Sequence, residues 1–294
     1  MTAEGVAVKD VELEGLPLFR RGKVRDTFDL GDRLLMVATD RLSAFDCVLP
    51  DPVPGKGRVL TEMSRYFFAI TGHLIPNHLL EDDLAVIPES QRERLAGRLM
   101  FCRKAERIDV ECVVRARLAG SGWEEYQQRG TLAGEEVPEG LRFGDPLPEL
   151  RFTPATKNDS GHDQNISRAE LATMVGPGLA RSLEEASLGL FRFASDHCLR
   201  AGIWLVDTKF EFGLIDGTLT LIDEALTPDS SRMWLTTEPI SSSTSLGFDK
   251  QLVRDHLLKV GWDRTPPAPR LPAELIAEVQ RRYLEVQQRI TTSS

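Results

Sequence analysis

The fold of this chain depends on the stretch Leu205-Val-Asp-Thr-Lys-Phe-Glu-Phe-Gly213. Asp207, Lys209 and Glu211 alternate with apolar residues, and alternate side chains of a β-strand point to one face. The apolar side chains then pack on the opposite face. Charged groups on such a strand cost free energy unless they are paired or bind a ligand. The stretch therefore predicts a buried strand whose charged face binds a metal ion and an anionic ligand.

A hairpin turn at Asp216-Gly217 returns the chain towards this strand, because Gly tolerates a positive φ. Two registers are open. A two-residue turn pairs Glu211 with Ile222 and leaves Asp223 on the other face. A three-residue turn, or a bulge, places Glu211 opposite Asp223, and the metal hypothesis requires this second geometry. Two facing carboxylates need a cation between them, and an all-oxygen site suits Mg²⁺.

The alternative interpretation is a surface hairpin whose charges are solvated. The segment after the hairpin argues against it. Thr227-Pro-Asp-Ser-Ser-Arg232 is a polar loop that ends in an arginine able to bind an anion.

Length and charge limit the class of protein. A chain of 294 residues can bury a large core, and we expect two lobes. The formal net charge of −9 argues against non-specific binding to nucleic acid or to anionic membranes. An anionic substrate must therefore be held by local clusters of Arg and Lys.

The sequence shows neither an apolar run near the roughly 20 residues that span a bilayer nor an N-terminal signal peptide. A cytoplasmic location is expected. The cysteines lack Cys-x-x-Cys spacing and have mostly apolar neighbours, which predicts buried free thiols. They are Cys47, Cys102, Cys112 and Cys198.

The basic segment Arg20-Arg-Gly-Lys-Val-Arg-Asp26 is a candidate phosphate loop. Lys23 and Arg25 alternate, and Gly22 allows the backbone to approach a phosphate closely. The segment matches neither the P-loop nor the dinucleotide-binding glycine pattern. A basic surface turn is the alternative.

A second anion-binding segment is Glu111-Cys-Val-Val-Arg-Ala-Arg117, followed by Gly120-Ser-Gly122. Strand alternation puts Glu111 and Arg115 on one face. A planar guanidinium next to free backbone N–H groups suits a carboxylate or phosphate. The alternative is a Glu–Arg cross-strand pair at a sheet edge.

The polar loop Phe152–Asp163 offers Lys157, Asp159 and Asp163 to a nucleotide or a metal. Its other role is a turn before a helix, with Ser167 as N-cap and Glu170 completing a capping box. Both roles are compatible.

Hydrophobic periodicity predicts the remaining elements. Residues 130–156 are rich in Gly and Pro and are expected to form a long loop or loose hairpin. Strands are predicted near 33–39, 98–104 and 110–115, and helices near 60–74, 168–174, 178–201, 249–260 and 273–290.

Several of these motifs occur in a fixed order across residues 22–232 and together resemble the SAICAR synthetase (phosphoribosylaminoimidazole-succinocarboxamide synthase) family. They are Gly22–Asp26, Ala38–Asp46, Glu111–Arg115 with Gly120-Ser121, Thr153–Lys157 with Gly161–Asp163, Asp207–Gly213 and Asp223–Arg232. Asp109 departs from the proline that the family often has before the Val-Glu-Cys run. The 130–156 segment resembles the longer members of the family.

The resemblance implies an α+β, two-lobed, ATP-grasp-like architecture. A β-rich, kinase-like N-terminal lobe with the phosphate loop is expected over residues 1–107, and an α+β lobe with the metal and substrate site over 108–294. The implied reaction joins L-aspartate to the carboxylate of an aminoimidazole ribonucleotide, converts ATP to ADP and phosphate, and proceeds through an acyl phosphate. ATP and Mg²⁺ are the implied cofactors. Small molecules are the implied partners, and a homo-oligomer is left open.

The resemblance also implies roles for individual residues. ATP is expected at Lys23, Arg25 and Lys157, with its adenine against Arg103–Arg107 and contacts from Lys104 and Glu106. Mg²⁺ is expected at Glu211 and Asp223. Asp207 and Lys209 are expected at the reacting groups. The implied substrate contacts are Arg115, Ser121, Asp207, Lys209, Arg232, Ser43 and Asp46.

Two other classes of function are open. A small-molecule kinase would share the phosphate and metal residues, but the chain lacks a His-Arg-Asp catalytic loop. A non-catalytic nucleotide-binding protein would have no need for the complete set of charged residues on the hairpin.

Overall fold

The computed structural model describes residues 7–157, 164–237, 247–248 and 250–293. The strands, in chain order, are β1 (Leu18–Arg21), β2 (Arg25–Asp29), β3 (Arg33–Ala38), β4 (Ser43–Ala44), β5 (Cys47–Val48), β6 (Leu99–Arg103), β7 (Glu106–Arg117), β8 (Thr131–Leu132), β9 (Glu135–Glu136), β10 (Pro146–Phe152), β11 (Ala155–Thr156), β12 (Ile203–Ile215), β13 (Thr218–Ile222) and β14 (Ser231–Leu235). The helices are α1 (Lys56–Thr71), α2 (Glu89–Leu95), α3 (Gly120–Arg129), α4 (Arg168–Val175), α5 (Pro177–Arg200), α6 (Gln251–Lys259) and α7 (Ala273–Thr292), with a 3₁₀ turn at Leu84–Val86. Helices combined with antiparallel sheets confirm the predicted α+β class.

The first sheet is antiparallel and has the order β1-β2-β3-β6. Its central strand β3 is the predicted apolar run, and Leu35 and Val37 are fully buried. Helix α1 packs against β3. The predicted division into lobes after residue 107 falls at the start of β7, the first strand of the second sheet, and stays a prediction.

The second sheet has the order β10-β7-β12-β13, with β11 added to β7 and β14 added to β12. Its centre is β12, the strand predicted from residues 205–213. The long helix α5 packs on β12 and β7 and buries Leu183, Leu190 and Cys198, which belong to the predicted apolar stripe. Helix α7 buries Val279 and Tyr283 and packs against α1.

The prediction of a long loop or loose hairpin over residues 130–156 agrees with the short hairpin of β8 and β9 and is wrong for the second half of the segment. β10 is a sheet strand that pairs antiparallel with β7. Pro146 and Pro148 hid it, because proline is unusual in strands. β10 is an edge strand with an irregular register between Pro146 and Arg151, where proline is tolerated.

The predicted capping box at the start of α4 is confirmed. The Ser167 hydroxyl accepts from the backbone N–H of Glu170, and the Glu170 carboxylate accepts from the backbone N–H of Ser167. The predictions for Asp159 and Asp163 lie outside the described residues.

Candidate active site

Strand β12 places the predicted charged residues on a buried face of the second sheet. Pairing with β7 sets Asp207 opposite Arg115, and Glu211 opposite Glu111. Asp207 and Glu211 are each 4% exposed, so the alternative of a solvated surface hairpin is wrong. Between them, Lys209 Nζ donates to Glu111 Oε1 at 2.7 Å and to Glu211 Oε1 at 2.9 Å. The lysine thereby compensates two like charges that the register places opposite each other.

A second lysine binds the other oxygen of Glu211, since Lys157 Nζ donates to Glu211 Oε2. Burial alone would raise the pKa of Glu211, but Lys209 and Lys157 more than offset it and hold that pKa well below its usual range. Burial likewise opposes the charge of Lys209, but Glu211 and Glu111 raise the pKa of Lys209 well above its ordinary value. Both groups are therefore charged at neutral pH.

The hairpin register differs from the one that the metal hypothesis requires. Ile215 pairs with Thr218 and Glu211 with Ile222, so the turn has two residues. Of the two registers left open by the sequence, the structure has the two-residue turn, so Glu211 and Asp223 do not face each other across the hairpin. Asp223 instead follows β13 with a φ of 67°, a left-handed backbone that ends the strand alternation.

Arg25 connects Asp223 to the other charges. Its Nη2 lies 2.6 Å from Asp223 Oδ2 and 3.4 Å from Glu224 Oε1. Burial lowers the pKa of Arg25, but Asp223, Glu224 and Glu211 outweigh burial and raise it above its ordinary value. Because Arg25 interacts with both Glu211 and Asp223, these carboxylates share one electrostatic environment. We call this group the charge cluster: Arg25, Glu111, Lys157, Lys209, Glu211, Asp223 and Glu224.

A second site, the arginine pocket, consists of Arg115, Ser121, Asp207 and Arg232. Arg115 Nη1 and Arg232 Nη1 both bind Asp207 Oδ2, at 3.1 Å and 2.6 Å. Arg115 Nη2 donates to Ser121 Oγ at 3.0 Å. Burial lowers the pKa of Arg115 even with Asp207 beside it. Since two guanidinium groups share one carboxylate, the pocket has surplus positive charge and suits an anion such as a phosphate.

Glycine shapes this pocket. Gly120 begins α3 with a φ of 53°, and a Cβ there would lie 2.1 Å from Arg232 Nη2. The Arg232 guanidinium therefore rests directly on the first turn of the helix, whose backbone N–H groups also favour an anion. The alternative of a Glu–Arg cross-strand pair at a sheet edge does not form, because β7 lies inside the sheet and Arg115 pairs across strands with Asp207.

The predicted phosphate loop meets the β4–β5 hairpin. Lys23 forms an ion pair with Asp46 at the hairpin tip, and both side chains are about half exposed. Phe45 and Asp46 have φ values of 50° and 62°. Such a turn is strained for non-glycine residues and typical of functional positions. Ser43 lies on β4 and is buried.

Lys104 and Glu106, the predicted adenine-side residues, lie at the junction of the two sheets. Lys104 Nζ is 2.7 Å from Asp29 Oδ1. Glu106 is exposed at the start of β7, opposite Leu214.

Arg41 is a residue that sequence reasoning missed. It is 7% exposed. Its guanidinium donates to the backbone carbonyls of Lys23 at 3.1 Å and Gly22 at 3.0 Å, and to Asp26 Oδ1 at 2.7 Å. Arg41 thereby fixes the backbone of the phosphate loop, and its place inside the Ala38–Asp46 motif was the available signal.

His78 is a second missed residue. Its backbone N–H donates to the Leu221 carbonyl at 3.1 Å, which fixes the chain beside β13. Burial lowers the pKa of His78 to about 4. A neutral histidine therefore lies next to Asp223, and nothing in the spacing of the histidines indicates this.

A third missed group surrounds Asp229 in the polar loop 227–232. Lys56 Nζ and Lys250 Nζ lie 2.7 Å and 3.0 Å from Asp229 Oδ2. The Tyr283 hydroxyl donates to Asp229 Oδ1 at 2.6 Å. Burial raises the pKa of Asp229, but Lys250 and Lys56 hold it well below its usual range.

The composition of the charge cluster suits a divalent cation. Four carboxylates stand against three cations, and carboxylate oxygens are the donors that Mg²⁺ prefers. Within the described ranges, no group of three or more His, Cys, Asp and Glu side chains already converges as a metal site. Lys157, Lys209 and Arg25 occupy the carboxylates instead, and Mg²⁺ at Glu211 and Asp223 stays a prediction.

Among the residues that the structure describes, no helix is both long and apolar enough to span a membrane.

The comparisons with known proteins agree with one another. Residues 18–269 match the family model described as SAICAR synthetase. The phosphoribosylaminoimidazole-succinocarboxamide synthases of Elusimicrobium minutum and Desulfosudis oleivorans are 46% and 48% identical; each alignment covers 95% of this chain, and 97% and 96% of those proteins. The SAICAR synthase of Saccharomyces cerevisiae complexed with SAICAR is 34% identical, with a TM-score of 0.88 over 98% of this chain and 99% of that one. A type-2 SAICAR synthetase in complex with ADP is 25% identical, with a TM-score of 0.67 over 92% and 96% of the two chains.

Proposed function

The chain belongs to the SAICAR synthetase family, and from this premise we propose how its residues carry out the reaction. The enzyme catalyses the ATP-dependent ligation of L-aspartate in purine biosynthesis. Its second substrate is 5-amino-1-(5-phosphoribosyl)imidazole-4-carboxylate, and the products are SAICAR, ADP and phosphate.

The observation that carries the proposal is the position of two charged sites on one strand. Asp207 belongs to the arginine pocket and Glu211 to the charge cluster. Four residues of extended strand separate them by about 13 Å. A ribonucleotide held by its phosphate at the arginine pocket would extend along β12, with its imidazole carboxylate towards Lys209 and the charge cluster.

ATP would approach from the side of the phosphate loop. Lys23 and Lys157 neutralise its phosphates, and Lys104 and Glu106 line the adenine side. The Arg25 guanidinium contacts Asp223 at 2.6 Å. It would also bind the ATP phosphates once they compete with Asp223 for it. The β4–β5 hairpin would close on the substrates with Ser43 and Asp46.

Mg²⁺ fits the donor set of Glu211 and Asp223. When bound, it would neutralise the phosphate oxygens and polarise the γ-phosphoryl group. The excess of carboxylates over cations in the charge cluster supports this assignment, and Lys157 would leave Glu211 for the nucleotide phosphates.

The reaction would proceed in two displacements. A carboxylate oxygen of the ribonucleotide forms a bond to the γ-phosphorus as the bond to the ADP oxygen breaks, which gives an acyl phosphate. The aspartate amine then attacks the acyl carbon, phosphate leaves with the former carboxylate oxygen, and the amine loses a proton. Lys209, anchored by Glu111 and Glu211, would neutralise the attacking carboxylate. Asp207 would hold Arg115 and Arg232, which bind the phosphate at the other end of the ribonucleotide. Positioning and charge neutralisation account for the catalysis.

ADP release tests the proposal when ATP, Mg²⁺, the ribonucleotide or L-aspartate is omitted in turn. We expect release, and SAICAR formation, only when all four are present. ADP formation at the full rate without aspartate would indicate a kinase or ATPase on this fold. ATP binding without turnover would indicate a binding protein.

A further inference from the structure

The buried group around Asp229 lies outside the charge cluster and the arginine pocket. Asp229 receives three donors, from Lys56, Lys250 and Tyr283. The Lys56 side chain is 0% exposed, whereas that of Lys250 is 11% exposed. Lys56 and the Tyr283 hydroxyl already satisfy both carboxylate oxygens of Asp229, so Lys250 is the additional and outermost partner.

Lys250 is a surplus positive charge at this place. Two ammonium groups share one carboxylate. Glu224 also attracts Lys250, but it is engaged by Arg25 at 3.4 Å and by the Thr227 hydroxyl at 2.7 Å. Burial lowers the pKa of Lys250 despite the attraction of Asp229. A buried ammonium with incomplete compensation gains free energy from an added anion.

The position of Lys250 connects it to the reaction. Its Nζ donates to Ser43 Oγ at 3.3 Å, on the hairpin whose tip holds Asp46 against Lys23. The loop 227–232 also places Arg232 in the arginine pocket at its far end. One loop therefore supports an anion site at each end, and the proposed ribonucleotide uses only one of them.

We infer that Lys250 Nζ, together with Ser43 Oγ, binds a carboxylate of L-aspartate. This inference rests on the proposed function and assigns a place to the one substrate that the charge cluster and the arginine pocket do not account for. Aspartate carries two carboxylates, so it needs a cationic anchor that ATP and the ribonucleotide do not occupy. Asp229, held by Lys56 and Tyr283, positions that anchor.

Steady-state kinetics of Lys250→Met test the inference. The substitution keeps the length of the side chain and removes its charge, and Asp229 retains Lys56 and Tyr283. We expect the KM for L-aspartate to rise by about tenfold or more, as for the loss of a charge-assisted hydrogen bond. The KM values for ATP and the ribonucleotide should stay within about twofold. The matched control Lys259→Met changes an exposed lysine at the C-terminal end of α6, the helix that begins directly after Lys250, and should leave all three values unchanged.

Succinate, a dicarboxylate without the amine, provides a second readout. It should compete with L-aspartate in the wild type, and its inhibition constant should rise by a similar factor in Lys250→Met. An unchanged KM for aspartate, or equal rises for all three substrates, would overturn the inference. If Lys250→Met does not fold, the same kinetics on Ser43→Ala test the inference. We then expect a rise of about threefold in the KM for aspartate alone. A wild type that forms no SAICAR would refute the proposed function instead.

Discussion

At the scale of single residues, Glu211 shows how the charge cluster is held. Its carboxylate lies between Lys157 and Lys209. Glu211→Gln keeps the shape and removes the charge, so Lys157 loses the carboxylate that it contacts, Lys209 retains Glu111, and the proposed Mg²⁺ loses a ligand. We expect turnover to fall by at least about a thousandfold with unchanged far-UV circular dichroism. Glu149→Gln, at an exposed position of β10, is the matched control. Wild-type turnover of Glu211→Gln at low Mg²⁺ would contradict the assignment.

Arg115 tests the division of roles between the two sites. Arg115→Ala leaves Asp207 to Arg232 and removes one of the two guanidinium groups from the pocket. We expect the affinity for the ribonucleotide to fall by about a hundredfold, whereas ATP affinity changes little. Titration calorimetry with each ligand measures both. Equal losses for the two ligands would refute the arginine pocket as the ribonucleotide site.

The residues that sequence reasoning found share a local signal. Asp207, Lys209 and Glu211 follow the period of a strand, so their common face could be predicted without a structure. Asp223 could not be placed correctly, because its left-handed backbone interrupts that period. Lys250 meets Ser43 across a separation of 207 residues, and no local pattern encodes such a contact.

At the scale of elements, the first turn of α3 is the most sensitive part of the arginine pocket. An added methyl group at Gly120 would overlap the Arg232 guanidinium, with distances of 2.1 to 2.6 Å to its atoms. We expect Gly120→Ala to raise the KM for the ribonucleotide by about tenfold or more through displacement of Arg232.

Gly130 offers a matched control at the other end of the same helix. Its φ of 71° carries similar backbone strain, but an added Cβ would meet nothing within 4 Å. Gly130→Ala should lower the melting temperature as Gly120→Ala does and leave the KM unchanged. Equal KM values for both variants would mean that strain, and not the contact with Arg232, limits the substitution.

Sequence periodicity found β12, α5 and α7, because each is long and strongly patterned. It missed β10, whose prolines resemble those of a loop, and the exact partner of Glu211 across the hairpin. The hairpin register was open because both turn lengths satisfied the local sequence. Gly213 allows β12 to pack closely against the residues at the start of β7. A Cβ there would lie 2.8 Å from Ala105 Cβ and 2.9 Å from the Glu106 carbonyl oxygen.

At the scale of the whole molecule, buried thiols lower the free energy of unfolding as the pH becomes alkaline. The prediction of buried free cysteines is confirmed for Cys102, Cys112 and Cys198, whereas Cys47 is only partly buried. Burial raises the pKa of Cys198 from about 9 to about 12. A raised folded-state pKa contributes stability that is complete below about pH 9 and is lost as the pH rises towards 12.

Cys198→Ala should therefore reduce the alkaline loss of stability. At pH 10.5 the wild type should lose about 2 kcal/mol through this thiol relative to pH 8. Urea unfolding at both pH values measures the difference, which should be smaller by that amount in the variant. Cys47→Ala is the control. The same loss in Cys198→Ala and the wild type would show that this thiol ionises freely in the fold.

At the same scale, the proposed reaction would unite residues from both sheets. Lys23 and Arg25 belong to the first sheet and its loops, and Glu211 and Asp207 to the second. Arg25 reaches Asp223 over 198 residues of sequence. The family resemblance could predict that Arg25 and Asp223 belong to one site, but composition and periodicity alone could not.

The fate of the carboxylate oxygens tests the central claim most directly. The ribonucleotide is labelled with ¹⁸O in its imidazole carboxylate and converted with ATP, Mg²⁺ and L-aspartate. Transfer of one ¹⁸O to the released phosphate in each turnover is the predicted result, because phosphate leaves with the oxygen that attacked the γ-phosphorus. Phosphate that contains no ¹⁸O, formed together with SAICAR, would contradict carboxylate activation at the charge cluster.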